Sequence, residues 1–144
     1  MPNDLFQIRY LNTDLDLISA TDPAVLVSEL ESRGLYVHVT LGSDHLYYVL
    51  CEDANHAEPE PNIRRMLDAI EGLSKDGRAV WCQCSKREFN IGYDCGDEPW
   101  AFSQGLSNDS LKRMAVSGAS FGITIYPRRP DSDLTTEAMN PPVE

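Results

Sequence analysis

The chain is 144 residues long, 42% apolar and 24% charged, with 23 acids against 12 bases and a formal charge of −11. That length suits one domain, able to bury about two-thirds of the surface its unfolded form exposes without a disulfide or metal staple. The composition argues against a disordered chain or a membrane protein, and the acidic balance argues against whole-surface affinity for nucleic-acid phosphate.

The first residues, MPNDLFQIRY, have no basic start, no apolar run and no small-residue cleavage site, so the expected location is cytoplasmic. Residues 5–11 alternate, with Phe6, Ile8 and Tyr10 on one face, and residues 14–18 set Leu15 and Leu17 against Asp14 and Asp16. Asn12 and Thr13 between them suit a turn, so the region reads as one bent strand or a small hairpin. Thr21, Asp22 and Pro23 open a helix that runs to about Arg33, where Gly34 can take the left-handed conformation that ends it. Residues 35–41 form a strand with Leu35, Val37, Val39 and Leu41 inward. With Ser43-Asp44 as a two-residue turn, the return strand 45–51 points Leu46, Tyr48 and Leu50 inward and Tyr47, Val49 and Cys51 outward.

Residues 52–61 read as an acidic loop. Asn62 or Glu60 then starts the strongest helix, whose stripe is Ile63, Met66, Leu67, Ile70 and Leu73, broken at Asp76-Gly77. Residues 78–84 and 88–95 alternate and can pair across Lys86-Arg87, which places Val80, Cys82, Cys84, Phe89, Ile91 and Tyr93 inward and Trp81 opposite Gly92. After the loop GDEPWAFSQG, Ser107 caps a third helix with the stripe Leu111, Met114 and Ala115, ended by Gly118. Residues 119–126 are the last strand, with Phe121, Ile123 and Ile125 inward. Residues 127–144 hold four of nine prolines and read as a mobile tail after a single domain over 1–126.

The expected class is α+β, a mainly antiparallel sheet with helices on one face, in an extended or duplicated ferredoxin-like order β-α-β-β-α-β-β-α-β. The other face would then carry Tyr36, His38, Tyr47, Val49, Trp81, Gln83, Asn90, Asp94, Thr124 and Tyr126. Such an aromatic and polar set fits an interface, and equally fits cross-strand pairs that only stabilise an exposed sheet.

Chemistry-bearing motifs are sparse. Cys82-x-Cys84 with Cys95 has poor spacing for a zinc site, and the four cysteines, with Cys51, read as free thiols in a reducing compartment. Asp94, Asp97 and Glu98 do not follow a calcium-loop spacing. His38, near Tyr47 and Asp94, is the one constellation open to acid–base work, and no nucleophile motif accompanies any histidine. No P-loop, dinucleotide fingerprint or RNA-binding aromatic signature occurs, so no cofactor is implied. Arg64-Arg65 reads as pairing with neighbouring acids, the alternative being contact with an anionic ligand.

The segments IRYLNTDLDL (8–17), EPEPNIRRML (58–67) and REFNIGYDCGDEPWAFSQGL (87–106), with the closing ITIYP, are similar to a family of small uncharacterised bacterial proteins. That resemblance implies a bacterial, cytoplasmic, single-domain protein and transfers no catalytic residue. The functional expectation is a non-enzymatic acidic module that binds a basic protein, inhibitor- or immunity-like by analogy, with Tyr36, His38, Tyr47, Trp81, Asn90, Asp94, Trp100 and Tyr126 as candidate contacts. Two alternatives stand beside it. One is a small enzyme or ligand-binding domain where Asp94, Cys95, Asp97 and Trp100 meet the sheet. The other is a homodimer formed through the same open face.

Overall fold

A computed structural model describes residues 5–128. The alternation of residues 9–19 makes one long strand, β1 (Arg9–Ser19), with Thr13, Leu15, Leu17 and Ser19 buried on one side. A register shift between Tyr10 and Asn12 bends it, so the bent strand is formed and the hairpin is not. Helix α1 (Ala24–Ser32), strands β2 (Tyr36–Leu41) and β3 (Tyr47–Glu52), and helices α2 (Pro59–Glu71) and α3 (Lys75–Gln83) follow. Strand β4 (Lys86–Asp94), helix α4 (Asn108–Ser117) and strand β5 (Ser120–Tyr126) complete the order. The five strands lie β2-β3-β1-β4-β5, antiparallel except for the parallel pair β4–β5. The class is α+β with a mostly antiparallel sheet, and the helices cover one face of it.

The core lies between that face and the helices. Leu15, Leu17, Val49, Cys51, Phe89 and Ile91 come from the sheet, and Leu26, Leu30, Ile63, Met66, Leu67, Ile70, Trp81 and Met114 from the helices. The stripe expected on α2 is buried throughout, and Pro59 occupies its first turn, where a missing N–H is tolerated. Gly34 and Gly118 take positive φ (95° and 82°) after α1 and α4, which only glycine does without strain.

Three expectations are corrected. Residues 78–83 are helical rather than a strand, so the element order is β-α-β-β-α-α-β-α-β. Ser74 accepts the Gly77 amide at 3.1 Å and starts α3 immediately after α2 ends at Gly72. Gly77, Trp81 and Cys84 then bury at helical spacing, Trp81 donates to the Ser117 carbonyl at 2.8 Å, and Cys82 is exposed. Trp81 therefore sits under α4, not opposite Gly92. Arg87 is not in a turn either, since its guanidinium caps the end of α3 through the Trp81 and Cys84 carbonyls and bonds the Gly118 carbonyl.

Secondly, strand β3 is inverted. Val49 and Cys51 are buried, while Tyr48 and Leu50 lie on the open side. Gly42 pairs with Leu46 rather than His45, and Ser43, Asp44 and His45 form a three-residue loop with His45 at φ 67°. One extra loop residue sends every side chain of the return strand to the opposite face.

Thirdly, α4 turns Ser110 and Met114 inward and leaves Leu111 and Ala115 exposed. Polar contacts dock it. The Glu60 carboxylate on α2 accepts from the Ser107 amide at 2.8 Å and from the hydroxyls of Ser107 and Ser110 at 2.7 and 2.6 Å. Arg113 bonds Asp68 and Glu71 on α2. Apolar periodicity does not register an interface made this way. The tail expected over 127–144 lies, beyond Arg128, outside the described residues; Arg128 itself bonds Asp97 and rests on the Phe6 ring.

Candidate functional site

The face of the sheet that the helices leave open is defined by register. From β2 to β5, Tyr36, Glu52, Asp14, Asn90 and Gly122 stand abreast, and the next row is His38, Leu50, Asp16, Glu88 and Ser120. Thr40, Tyr48, Ile18 and Lys86 follow on one side, and Asn12 with Gly92 and Thr124, then Arg9 with Asp94 and Tyr126, on the other. Four carboxylates, Asp14, Asp16, Glu52 and Glu88, therefore occupy two adjacent rows at the middle of the sheet. Lys86 reaches Glu88 at 3.5 Å, and Arg9 reaches Asp94 at 3.2 Å at the far end.

The electrostatics of this group are unbalanced. Burial, then the charges of Glu52 and Asp16, push the Asp14 carboxyl up to about 6. Asp16 is also raised, by burial and by Glu88, against the pull of Lys86. Asn12 donates to Asp14 at 3.0 Å, a neutral partner that leaves the repulsion in place.

Bases that could have answered these charges are held on the helix side. Arg33 bonds the Gly72 carbonyl, Arg65 the Arg33 carbonyl, and Arg78 the Ile70 and Glu71 carbonyls. These carbonyls lie at the C-terminal ends of α1 and α2, which carry partial negative charge, so arginine is stabilised there. Arg64 pairs with Glu60 and Asp109, which is the acidic-neighbour reading of Arg64-Arg65 for that residue.

Of the residues singled out from sequence, Tyr36, His38, Asn90, Asp94 and Tyr126 lie on the open face, with Thr124 donating to Asn90 at 3.0 Å. Tyr47 points to the helix side, Trp81 is buried, and Trp100 is 98% exposed in the loop after β4. The constellation of His38, Tyr47 and Asp94 does not form. His38 is on the edge strand β2, Asp94 ends β4 three strands across and six residues beyond the row of His38, and Tyr47 faces away. Central to the face instead are Asp14, Asp16, Glu52 and Glu88, none of which the sequence singled out as a contact. The signal for two of them was present in the D-L-D-L alternation of residues 14–17.

Near Asp94 there is an open trough of about 390 Å³, lined by Ile8, Tyr93, Asp94, Cys95, Phe102, Gln104, Ile123 and Ile125. Tyr93 donates to Gln104 at 2.8 Å and stacks edge-on with Tyr10 and Phe102. Asp97 and Trp100 do not line it; Asp97 bonds Arg128 and the Phe6 amide. Among the described residues, no group of three or more His, Cys, Asp and Glu side chains is arranged to hold a metal ion, and no helix is long and apolar enough to cross a membrane.

No protein-family model, curated protein or solved structure matches the chain. What the face can do follows from its own chemistry, which is to attract cations and offer aromatic area beside them.

Proposed function

We propose that this chain is a non-enzymatic protein-interaction module that receives a basic protein partner on the open face of its sheet. The observation that carries the reading is the pair of adjacent rows holding Asp14, Asp16, Glu52 and Glu88, with Asp14 pushed up to about 6 by its surroundings. Cations from a partner would relieve that repulsion, and an acidic face steers a basic protein toward it. Tyr36, Tyr48 and Leu50 border the carboxylates and supply apolar area, with polar tips on the two tyrosines, which suits an interface. Four free thiols, two of them buried, support a reducing, cytoplasmic setting. The family resemblance brings no activity to this reading.

The test is capture of partners at low salt on the tagged protein, on Asp16→Lys/Glu88→Lys, and on Glu71→Lys as a helix-side control. A basic protein released by salt should be held by the parent and the control and lost by the double variant. Equal capture by all three would overturn the reading. Affinity should also fall as pH drops through about 6, where Asp14 loses its charge.

A further inference from the structure

Strand β5 presents a second surface, distinct from the acidic face. Its residues Phe121, Ile123 and Ile125 point to the helix side yet are 45%, 58% and 64% exposed. Helix α4 packs on α2 and leaves them without a roof. Among the described residues, β5 is also an edge of the sheet, hydrogen-bonded only to β4. The Tyr126 carbonyl turns toward β4, accepting the Cys95 amide at 2.9 Å. Backbone groups alternate in direction along a strand, so Phe121, Ile123 and Ile125 turn their N–H and C=O outward. The same three residues therefore offer both the apolar side chains and the free hydrogen-bonding groups.

Natural edge strands are protected by lysine, proline, bulges or inward charges. The segment SFGITIY has none of these. In a chain of charge −11, it is also a strand with no acidic or basic residue, where two copies can meet without like charges opposed.

We propose that β5 pairs antiparallel with β5 of a second copy, about a two-fold axis at Ile123. Phe121 then faces Ile125 of the second copy, and Ile123 faces its own counterpart. On the other side, Ser120 faces Tyr126 and Gly122 faces Thr124, small residues against large ones. The three outward residues of each strand complete about six backbone hydrogen bonds. Phe121 of the second copy lies beside Ile125 at the mouth of the trough, next to Phe102 and Ile8. The axis is normal to the sheet, so two five-stranded sheets become one continuous sheet with both acidic faces on the same side.

Residues 129–144 are poorer candidates for this edge, holding three prolines, four acids and no alternating apolar run. A contact of one strand pair and one apolar row is smaller than the standard interface of about 1,600 Å² and belongs with weak, reversible contacts, so it is sought at high protein concentration. The proposal does not depend on the acidic face having a partner.

The experiment is sedimentation of the full chain up to about 100 µM, with hydrogen exchange on β5. A dimer is expected, with amides 121, 123 and 125 protected more as concentration rises. Ile123→Lys should dissociate it at least about tenfold more readily, because two lysines then oppose each other. Ile123→Glu should do the same, and an equal mixture of the two variants should recover association. Thermal melts of both variants check that each is folded. A monomer at the highest concentration would overturn the proposal. So would a dimer that tolerates both variants, a mixture that fails to associate, or open-ended assembly through β2 and β5.

Discussion

Two carboxylates show how position decides the state of one chemical group. Burial alone would raise Glu60, but hydrogen bonds from Ser110 and Ser107 and the nearby Arg64 outweigh it and bring the carboxyl down to about 2. Asp14 meets burial, Glu52 and Asp16 with no cation among the described residues to offset them, and rises to about 6. The consequences have opposite signs. Glu60 binds its proton less tightly folded than unfolded, so its contribution is present above its ordinary value of 4.5 and fades as pH falls toward 2. Asp14 binds its proton more tightly folded, so its contribution is full below 3.8 and lost as pH rises through 6. Asp14→Asn should therefore match the parent in stability near pH 4. Its advantage should grow to about 1–2 kcal/mol above pH 7, after allowance for solvent at this partly buried group. Denaturant unfolding at several pH values measures the difference, and a variant no more stable at neutral pH would mean that Asn12 already compensates the charge.

The β2–β3 hairpin turns on one residue. His45 sits in the left-handed region at φ 67°, which side chains with a Cβ enter at a cost, and Asp44 steadies the loop by accepting the Leu46 amide at 3.0 Å and the Tyr48 hydroxyl at 2.5 Å. His45→Gly should raise stability by about 0.5–1 kcal/mol, and His45→Val should lower it by about 1–2 kcal/mol, since a β-branched side chain tolerates that conformation least. The pair of unfolding midpoints tests this, and equal effects would show that the strain is absorbed by the loop. The helix α3 teaches a related lesson. RAVWCQC alternates like a strand, but a run of seven residues also satisfies a helical period, and Ser74 three residues before Gly77 supplies the cap that chooses the helix.

Charge is distributed by architecture rather than by count. Arginines are drawn to helix ends and to the α2–α4 contact, and the sheet face keeps its acids. With −11 on the whole chain, self-repulsion opposes folding at low ionic strength. Raising salt to about 0.15 M shortens the screening length to about 8 Å and should raise the melting midpoint by about 3 °C. A midpoint that falls would show that ion pairs such as Arg113 with Asp68 and Glu71 contribute more than the repulsion costs.

The α+β class, the helices α1 and α2, the strands β4 and β5 and the stops at Gly34 and Gly118 were legible because each is a local matter: a period of apolar residues, a cap, or a backbone angle that only glycine reaches freely. Gly77, expected to break α2, instead lies in the first turn of α3, and α2 ends at Gly72. Alternation also split β1 correctly into an apolar side and an acidic side. Which side of β3 faces the helices was decided by a hydrogen bond between Gly42 and Leu46 that composition does not specify. Likewise α4 is held by Glu60 and Arg113, whose partners lie more than forty residues away in the chain. The acidic face exists only because three strands distant in sequence bring Asp14, Asp16, Glu52 and Glu88 into adjacent rows, and the bare β5 edge only because α4 settles on α2. Local chemistry set the elements; the register between them, a matter of long-range pairing, decided which surfaces the molecule offers.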